Sequence, residues 1–378
     1  MNIEICKKIK QKEGFFASIP VSFPPKGILN IPQKLLNKAD KAGRLVSKLD
    51  GITHILPDID FFLKIFVAKD ATSSAQIEGT KATIVDAIEM DAGVDGKQTD
   101  AGDIIFYIKA LNYGIERINK LPLSLRFIKE LHSELMTGAR ATHFSDPGEF
   151  RKTQNWIGGT NPGNASFVPP PADEMQLALN DFESFFRNEE LTIPLIHIAL
   201  VHAQFETIHP FLDGNGRTGR LLITLLLCYQ KMLERPVLFL SSYFKKHQKI
   251  YYEKLNGYHN DGKVVEWLEF FFDGVIETAN ESIAISKKIR KLRDNDMAKI
   301  LALAKRESES GILVLPKLYG NPIINTKKIM EWTGFTRAGA QKLIDRFIKL
   351  GILKLAEEND SYDRKYIYKD YLDAFTAQ

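Results

Sequence analysis

Two strongly apolar stretches, IPLIHIALVHAQFETI (193–208) and LLITLLLC (221–228), flank one polar loop, HPFLDGNGRTGR. No other feature constrains the fold as tightly. Stretches apolar on every side form helices buried all round, so the loop joining them must turn the chain inside a helical body. Pro210 ends the first helix, and the second begins near Asn215 to Arg217. The loop therefore abuts a helix amino terminus, where unpaired backbone N–H groups and the positive end of the dipole gather. Gly214 and Gly216 let an anion approach that backbone. A phosphate cradle follows from this geometry.

Around the cradle lie groups suited to magnesium-dependent attack on a nucleoside triphosphate. Asp213 suits Mg²⁺ held through one carboxylate oxygen, with phosphate oxygens and water completing the shell. Arg217 and Arg220, three residues apart, suit the charge of the outer phosphates. His209 carries an imidazole, which titrates near neutrality and suits removal of a proton from an attacking hydroxyl. His197 and His202, five apart, point about 140° apart on a helix and make a poor metal pair.

The rest of the chain bounds the reading. At 378 residues, 44% hydrophobic and 26% charged, it can bury a full core in two or three domains. A net charge of +4 does not by itself demand a nucleic-acid or membrane partner. The two cysteines, Cys6 and Cys228, form no CxxC pair, which fits a reducing cytoplasm. LLITLLLC falls short of the ~18 apolar residues of a membrane span. MNIEICKKIKQKEGFF mixes its charges too closely for a signal peptide. A cytoplasmic protein without membrane contact is the expectation.

Four prolines, Pro20, Pro24, Pro25 and Pro32, predict an extended arm over 17–35. Three helices are expected between Gln33 and Ala92, broken at Gly51 with Pro57 and again at Gly79. Ile105, Ile108, Leu111 and Ile115, then Leu125, Ile128, Leu131 and Leu135, recur at helical steps. RKTQNWIGGTNPGNASFVPPP (151–171) predicts a β-hairpin around its Asn-Pro-Gly-Asn turn. Helices resume at Asp173 and run to about Arg293, with a connection between Asp294 and Ser310. TKKIMEWTGFTRAGAQKLIDRFIKL (326–350) then reads as two helices joined at Gly334, with Thr326 and Thr336 as caps. GILKLAEENDSYDRKYIY adds strand, turn and strand, which completes a winged-helix pattern.

The loop matches HxFx(D/E)GNGRxxR at every specified position, and thereby resembles the signature of the Fic family. At about 5% usage per residue, eight specified positions coincide by chance roughly once in 10¹⁰ sites. The resemblance implies a mainly α fold: a Fic-fold helical core with a β-hairpin flap, plus a C-terminal winged-helix (α+β) domain. The corresponding division is an N-terminal Fic-associated region at 1–100, a catalytic core at 101–293 and the winged helix at 294–378. It also implies a protein adenylyltransferase, which moves AMP from Mg²⁺-ATP onto Ser, Thr or Tyr hydroxyls of target proteins, with His209 as catalytic base. Gly214, Asn215, Gly216, Arg217 and Arg220 would bind phosphate and Asp213 the metal. Gly216 stands where kinase-like relatives carry Lys, which favours nucleotidyl transfer.

Further segments extend the resemblance. Ser74-Ala-Gln-Ile-Glu78-Gly79 is similar to the inhibitory pattern (S/T)xxxE(G/N), implying that Glu78 pairs with Arg220 and displaces the γ-phosphate. The same glutamate, positioning a water, would instead serve removal of AMP. Gln154, Asn155, Trp156, Ile157, Gly158 and Gly159 correspond to the flap, whose edge would add a target peptide as a further strand. Tyr251 and Tyr252 resemble the family's adenine-pocket helix, where Asn260 or His259 falls near the position of a following Asn. The segment 326–350 carries six basic residues against Glu331 and Asp345, so contact with DNA and contact with protein both stay open, as does a homodimer that controls Glu78. A DNA-binding regulator with an ATP-sensing core is the alternative to an enzyme.

Overall fold

The computed structural model of the protein describes residues 3–81, 101–118, 120, 122–138, 146–188, 192–356 and 364–376. The chain divides into two compact units, Met1–Asp50 with Phe66–Ala279, and Gly51–Ile65 with Asn280–Gln378.

The first unit opens with an antiparallel hairpin of β1 (Cys6–Lys10) and β2 (Phe16–Pro20), with Cys6 opposite Pro20 and Lys10 opposite Phe16. The arm expected over 17–35 thus begins as a strand. Residues 7–10 are all exposed, so β1 lacks the apolar alternation by which strands are read. Helices then dominate: α1 (Gln33–Thr53), α2 (Ile59–Ile77), α3 (Ala101–Ile118), α4 (Leu125–Met136), α5 (Ala172–Arg187), α6 (Pro194–Ile208), α7 (Asn215–Tyr229), α8 (Ser241–Lys246), α9 (Gln248–Asp261) and α10 (Val264–Leu301). The helix expected between Gly79 and Ala92 lies outside the described residues. Helix α10 continues through Asp294 because Ile289, Asp296 and Ile300 keep a buried helical stripe beneath the charged surface.

Helix α4 shows why these segments are helical. Ser124 caps it by accepting from Phe127 N, and Phe127, Ile128, Leu131 and Leu135 bury one face. Helix α6 is the core of the unit, with Pro194 in its first turn and every residue from Leu195 to Ile208 buried. Each such aliphatic side chain contributes roughly 1.5–3 kcal/mol on burial. Trp267 Nε1 of α10 donates to Ala199 O of α6 at 2.9 Å. The 151–171 segment doubles back on itself through a single antiparallel bridge, Ile157 with Phe167, in place of a strand ladder.

The second unit contains α11 (Lys305–Gly320), β3 (Ile323–Asn325), α12 (Thr326–Thr333), α13 (Arg337–Lys349), β4 (Lys354–Leu355), β5 (Lys365–Ile367) and α14 (Lys369–Thr376). Its antiparallel sheet has the order β3-β5-β4. Gly334 closes α12 in the left-handed conformation at φ 71°, and Thr336 caps α13. Asn325, rather than Thr326, caps α12: its Oδ1 accepts from Lys328 N at 3.0 Å, and Thr326 is the first helical residue. The turn expected between β4 and β5 lies outside the described residues. The result is a small α+β region of winged-helix type.

One buried carboxylate ties three helices of the first unit together. Asp70 of α2 accepts from Tyr107 OH of α3 at 2.6 Å and from Ser241 N of α8 at 3.0 Å. Burial raises its pKa, against the pull of those bonds. Tyr107→Phe removes one donor and leaves the oxygen buried, so unfolding in urea should show stability lower by about 1–3 kcal/mol with an unchanged m-value.

Candidate active site

His209 follows α6 directly and adopts φ 49°, ψ 60°, its N–H donating to Phe205 O at 2.9 Å. The residue before a proline is disfavoured in the helical region, so α6 stops here. A left-handed non-glycine residue costs about 1–2 kcal/mol and needs support from its surroundings. Arg151 supplies it. Its Nε donates to His209 O at 3.0 Å, Nη1 to Thr153 O at 3.1 Å and Nη2 to Pro170 O at 2.5 Å, while its own N–H donates to Pro210 O. One guanidinium thus joins both stems of the 151–171 segment to the loop after α6. Burial pulls its pKa down to about 10.

The loop is fastened at Phe211. Asn215 accepts from Phe211 N and donates to Phe211 O, both at 2.8 Å, so its side chain is spent on the loop. Asn155 Nδ2 also reaches Phe211 O at 2.8 Å. The His132 ring of α4 stacks on Phe211 at 3.6 Å with planes 1° apart. Gly148 N donates to His132 Nδ1, so Nε2 carries the proton and donates to Asp213 O at 3.0 Å. Gly214 follows at φ 76°, and a Cβ there would lie 2.7 Å from Met136 Sδ. Sequence reading overlooked Arg151 and His132. Their only signals are an arginine opening a polar turn and a histidine on the apolar stripe of α4.

Helix α7 carries the cationic half of the site. Arg217 is buried between Asp103, at 3.4 Å, and Asp213, at 3.5 Å. Arg220 is turned the other way: Nε donates to Ser74 Oγ at 2.8 Å, and Nη2 to Ser74 O at 3.0 Å and Glu78 Oε1 at 2.7 Å. Burial of Arg220 works against its charge, but Glu78, Tyr251 and Glu206 outweigh this and hold its pKa above the ordinary value. A Cβ on Gly216 would collide with Glu78 Oε1, so only glycine leaves room for this carboxylate.

These groups open on a cavity of about 490 Å³, lined among others by Glu78, Glu206, His209, Gly216, Arg220 and Tyr252. Trp156, Ile157 and Gly158 line it from the flap, whereas Gln154 and Asn155 turn inward to backbone carbonyls. Gly159, at φ 70°, closes against Asn164 at the tip. Tyr251 is buried and donates through its hydroxyl to His202 Nε2 at 2.9 Å, because His202 Nδ1–H serves Gly219 O. Asn260 does not reach this cavity; it lines a separate depression with Lys8 and Asp261. Asn256 and His259 line the cavity instead, four and seven residues after Tyr252 and hence on its helix face. A one-residue step past His259 turns Asn260 by about 100°.

The Fic/DOC family model matches residues 122–227, and the Fic/DOC family N-terminal model matches residues 36–116. This is a Fic-domain protein. The protein adenylyltransferase Fic of Drosophila grimshawi is 30% identical over 250 residues, 64% of this chain and 46% of that protein. The Aedes aegypti protein of the same name is 30% identical over 211 residues, covering 53% and 38%. The chain thus spans less than half the length of these curated relatives. A Fic family protein from Desulfovibrio desulfuricans superposes with a TM-score of 0.58 at 17% identity, covering 89% of this chain and 96% of that one. A Fic domain containing signaling protein from Bacteroides thetaiotaomicron gives 0.54 at 18% identity, covering 66% and 97%. These two share the fold.

For this Fic domain, the fit of a metal can be judged from its donors. Among the described residues no group of three or more His, Cys, Asp or Glu side chains could hold an ion, and no helix is long and apolar enough to cross a membrane. Asp213, 38% exposed beside the α7 amino terminus, suits an ion that brings its other oxygen ligands on a triphosphate.

Burial lowers the His132 pKa from 6.5 to about 4. Between those values the unfolded chain binds a proton that the folded chain does not, so this contribution is full above pH 6.5 and lost as pH falls toward 4. At about 1.4 kcal/mol per pKa unit it amounts to roughly 3 kcal/mol. Urea unfolding from pH 7 to 4 should show this acid loss, and His132→Asn should flatten the curve by up to one proton.

Proposed function

We propose that this chain is a protein adenylyltransferase held in check by its own helix α2. The observation that carries the reading is the seat of Arg220: a buried guanidinium bordering the His209 cavity and bonded to Ser74 and Glu78. A cation that faces a cavity and is neutralised by a carboxylate 37% exposed is a cation that a phosphate would otherwise occupy.

In this reading the triphosphate lies along the α7 amino terminus, with the base toward Tyr252, Asn256 and His259. The N–H groups of Asn215 and Gly216 face its phosphates, and Arg220, once released, neutralises the outermost one. Asp213 would hold Mg²⁺, which would supply charge neutralisation to the departing pyrophosphate. His209 takes the proton of a protein hydroxyl as its oxygen bonds to the α-phosphorus and the α–β phosphate bond breaks. The acceptor peptide lies along the flap: Ile157 is bonded to Phe167, and strand alternation directs the backbone of Trp156 and Gly158 outward. Because Glu78 borders the same cavity, a water held by it would attack the α-phosphorus of the AMP–protein linkage, releasing AMP and returning a proton to the protein hydroxyl.

Wild type, Glu78→Gly and Glu78→Gly/His209→Ala proteins, incubated with Mg²⁺ and ATP labelled at the α- or γ-phosphate, test the reading. Glu78→Gly should incorporate α-label alone, at least tenfold faster than wild type, and the double variant should lose at least 10²-fold. Incorporation of γ-label would make the chain a kinase, and no incorporation with a cell lysate as acceptor would refute transfer. Release of label from modified protein by wild type, lost in Glu78→Gly, would assign removal of AMP.

A second reading concerns α13, which exposes Arg337, Lys342 and Lys349. These suit phosphate contacts to duplex DNA. In a gel shift, Arg337→Ala/Lys342→Ala should weaken binding uniformly across sequences and lower the salt dependence. Absence of any shift by wild type at low salt would leave this surface to a protein partner.

A further inference from the structure

Glu206 lies one turn before His209 on α6, and its carboxylate is 8% exposed. Its Oε2 is 3.6 Å from His209 Nδ1, a few tenths of an ångström beyond hydrogen-bond length. Both His209 Nδ1 and Glu206 Oε1 are buried without a hydrogen-bond partner among the described residues. The carboxylate oxygen near the open Nδ1 is Oε2, and a buried ring nitrogen without a partner is costly unless such an acceptor takes its proton. Among the described residues no other basic group takes the carboxylate. His202, its neighbour one turn earlier, has given Nδ1–H to Gly219 O and Nε2 to Tyr251 OH. Arg220 is committed to Ser74 and Glu78. Space is reserved for the carboxylate as well: a Cβ on Gly219 would lie 2.7 Å from Glu206 Oε1.

We propose that Glu206 is a positioning residue for His209. It accepts the Nδ1 proton of the imidazole, leaves the Nε2 lone pair to the cavity, and stabilises the imidazolium formed when Nε2 takes a proton. The proposal rests on the reading of His209 as base. In the step itself the acceptor hydroxyl loses its proton to Nε2, the proton on Nδ1 stays in place, and the carboxylate remains ionised throughout. The arrangement has the logic of a nucleophile's base held by a third group. The groups that act on the pair are His202 from α6, Arg220 from α7, and Tyr251, Tyr252 and His259 from α9, while Glu78 borders the same cavity. Burial raises the Glu206 pKa, but His209, His202 and Arg220 outweigh it and keep it low.

The test is made on the full chain labelled with ¹⁵N-histidine, with His209 assigned by the signal lost in His209→Ala. Wild type should show the Nδ1–H tautomer, and an Nε2–H tautomer would overturn the proposal. In Glu206→Gln the imidazole pKa should fall by about one unit. AMP transfer by Glu78→Gly/Glu206→Gln should fall about 10–100-fold in kcat with KM for ATP unchanged, its acidic limb moving to lower pH. An unmoved imidazole pKa and acidic limb would reduce Glu206 to packing. Should Glu206→Gln fail to fold, Gly219→Ala displaces the carboxylate without removing it and should move the same signals. The tautomer is read without turnover. A missing α-label with an Nδ1–H imidazole would therefore refute the reaction and leave the orientation standing.

Discussion

The site depends on how one buried cation is neutralised. A guanidinium as enclosed as that of Arg220 cannot stay without partners, because an unpaired buried charge costs several kcal/mol. That requirement shapes helix α2. Asp70, Ser74 and Glu78 follow at four-residue steps, so one face of the helix and its end carry all three. Ser74 and Glu78 seat the arginine, and Asp70 fastens the same face to Tyr107 and Ser241. The requirement also reaches Gly216, where any side chain would take the space of Glu78. A phosphate arriving at Arg220, as proposed, would exchange one anion for another, so the guanidinium would never be left bare. Such an exchange needs far less free energy than opening an empty charged pocket.

The loop after α6 is held from a different direction. Its carbonyls at His209, Pro210 and Phe211 meet donors from the 151–155 stem. A cation at the carboxyl end of α6 also suits the helix dipole. The flap that would receive an acceptor and the histidine that would deprotonate it are therefore fixed to each other through Arg151. Protein groups alone supply these bonds, which places the cost of the left-handed residue in folding and not in binding.

Much of this was legible in the sequence for identifiable reasons. The HPFLDGNGRTGR loop announced itself because every polar residue in it interrupts apolar helix. The pairing of Glu78 with Arg220 was legible only through the resemblance, since 142 residues separate the partners and no local pattern joins them. The hairpin of β1 and β2 was not legible, because its first strand is mostly exposed lysine and buries almost nothing. Asn260 or His259 was expected from the approximate spacing of an Asn in related chains, and such spacing cannot resolve one residue on a helix whose apolar face is irregular. Arg151 and His132 went unread because each acts on backbone far away in sequence. A lone buried arginine or histidine leaves no periodic trace.

The buried imidazoles explain what sets His209 apart. His132, His197 and His202 each have both ring nitrogens engaged, one donating to a backbone carbonyl and the other accepting, which fixes them neutral. Burial lowers the pKa of all three. An imidazole in that condition is a structural strut, because taking a proton would break an acceptor bond inside the core. His209 has its backbone held but its ring free, with a carboxylate on one side and the cavity on the other. Of these four histidines it alone can gain a proton without losing a hydrogen bond. That difference, more than its place in a motif, is what suits it to the proposed role of base.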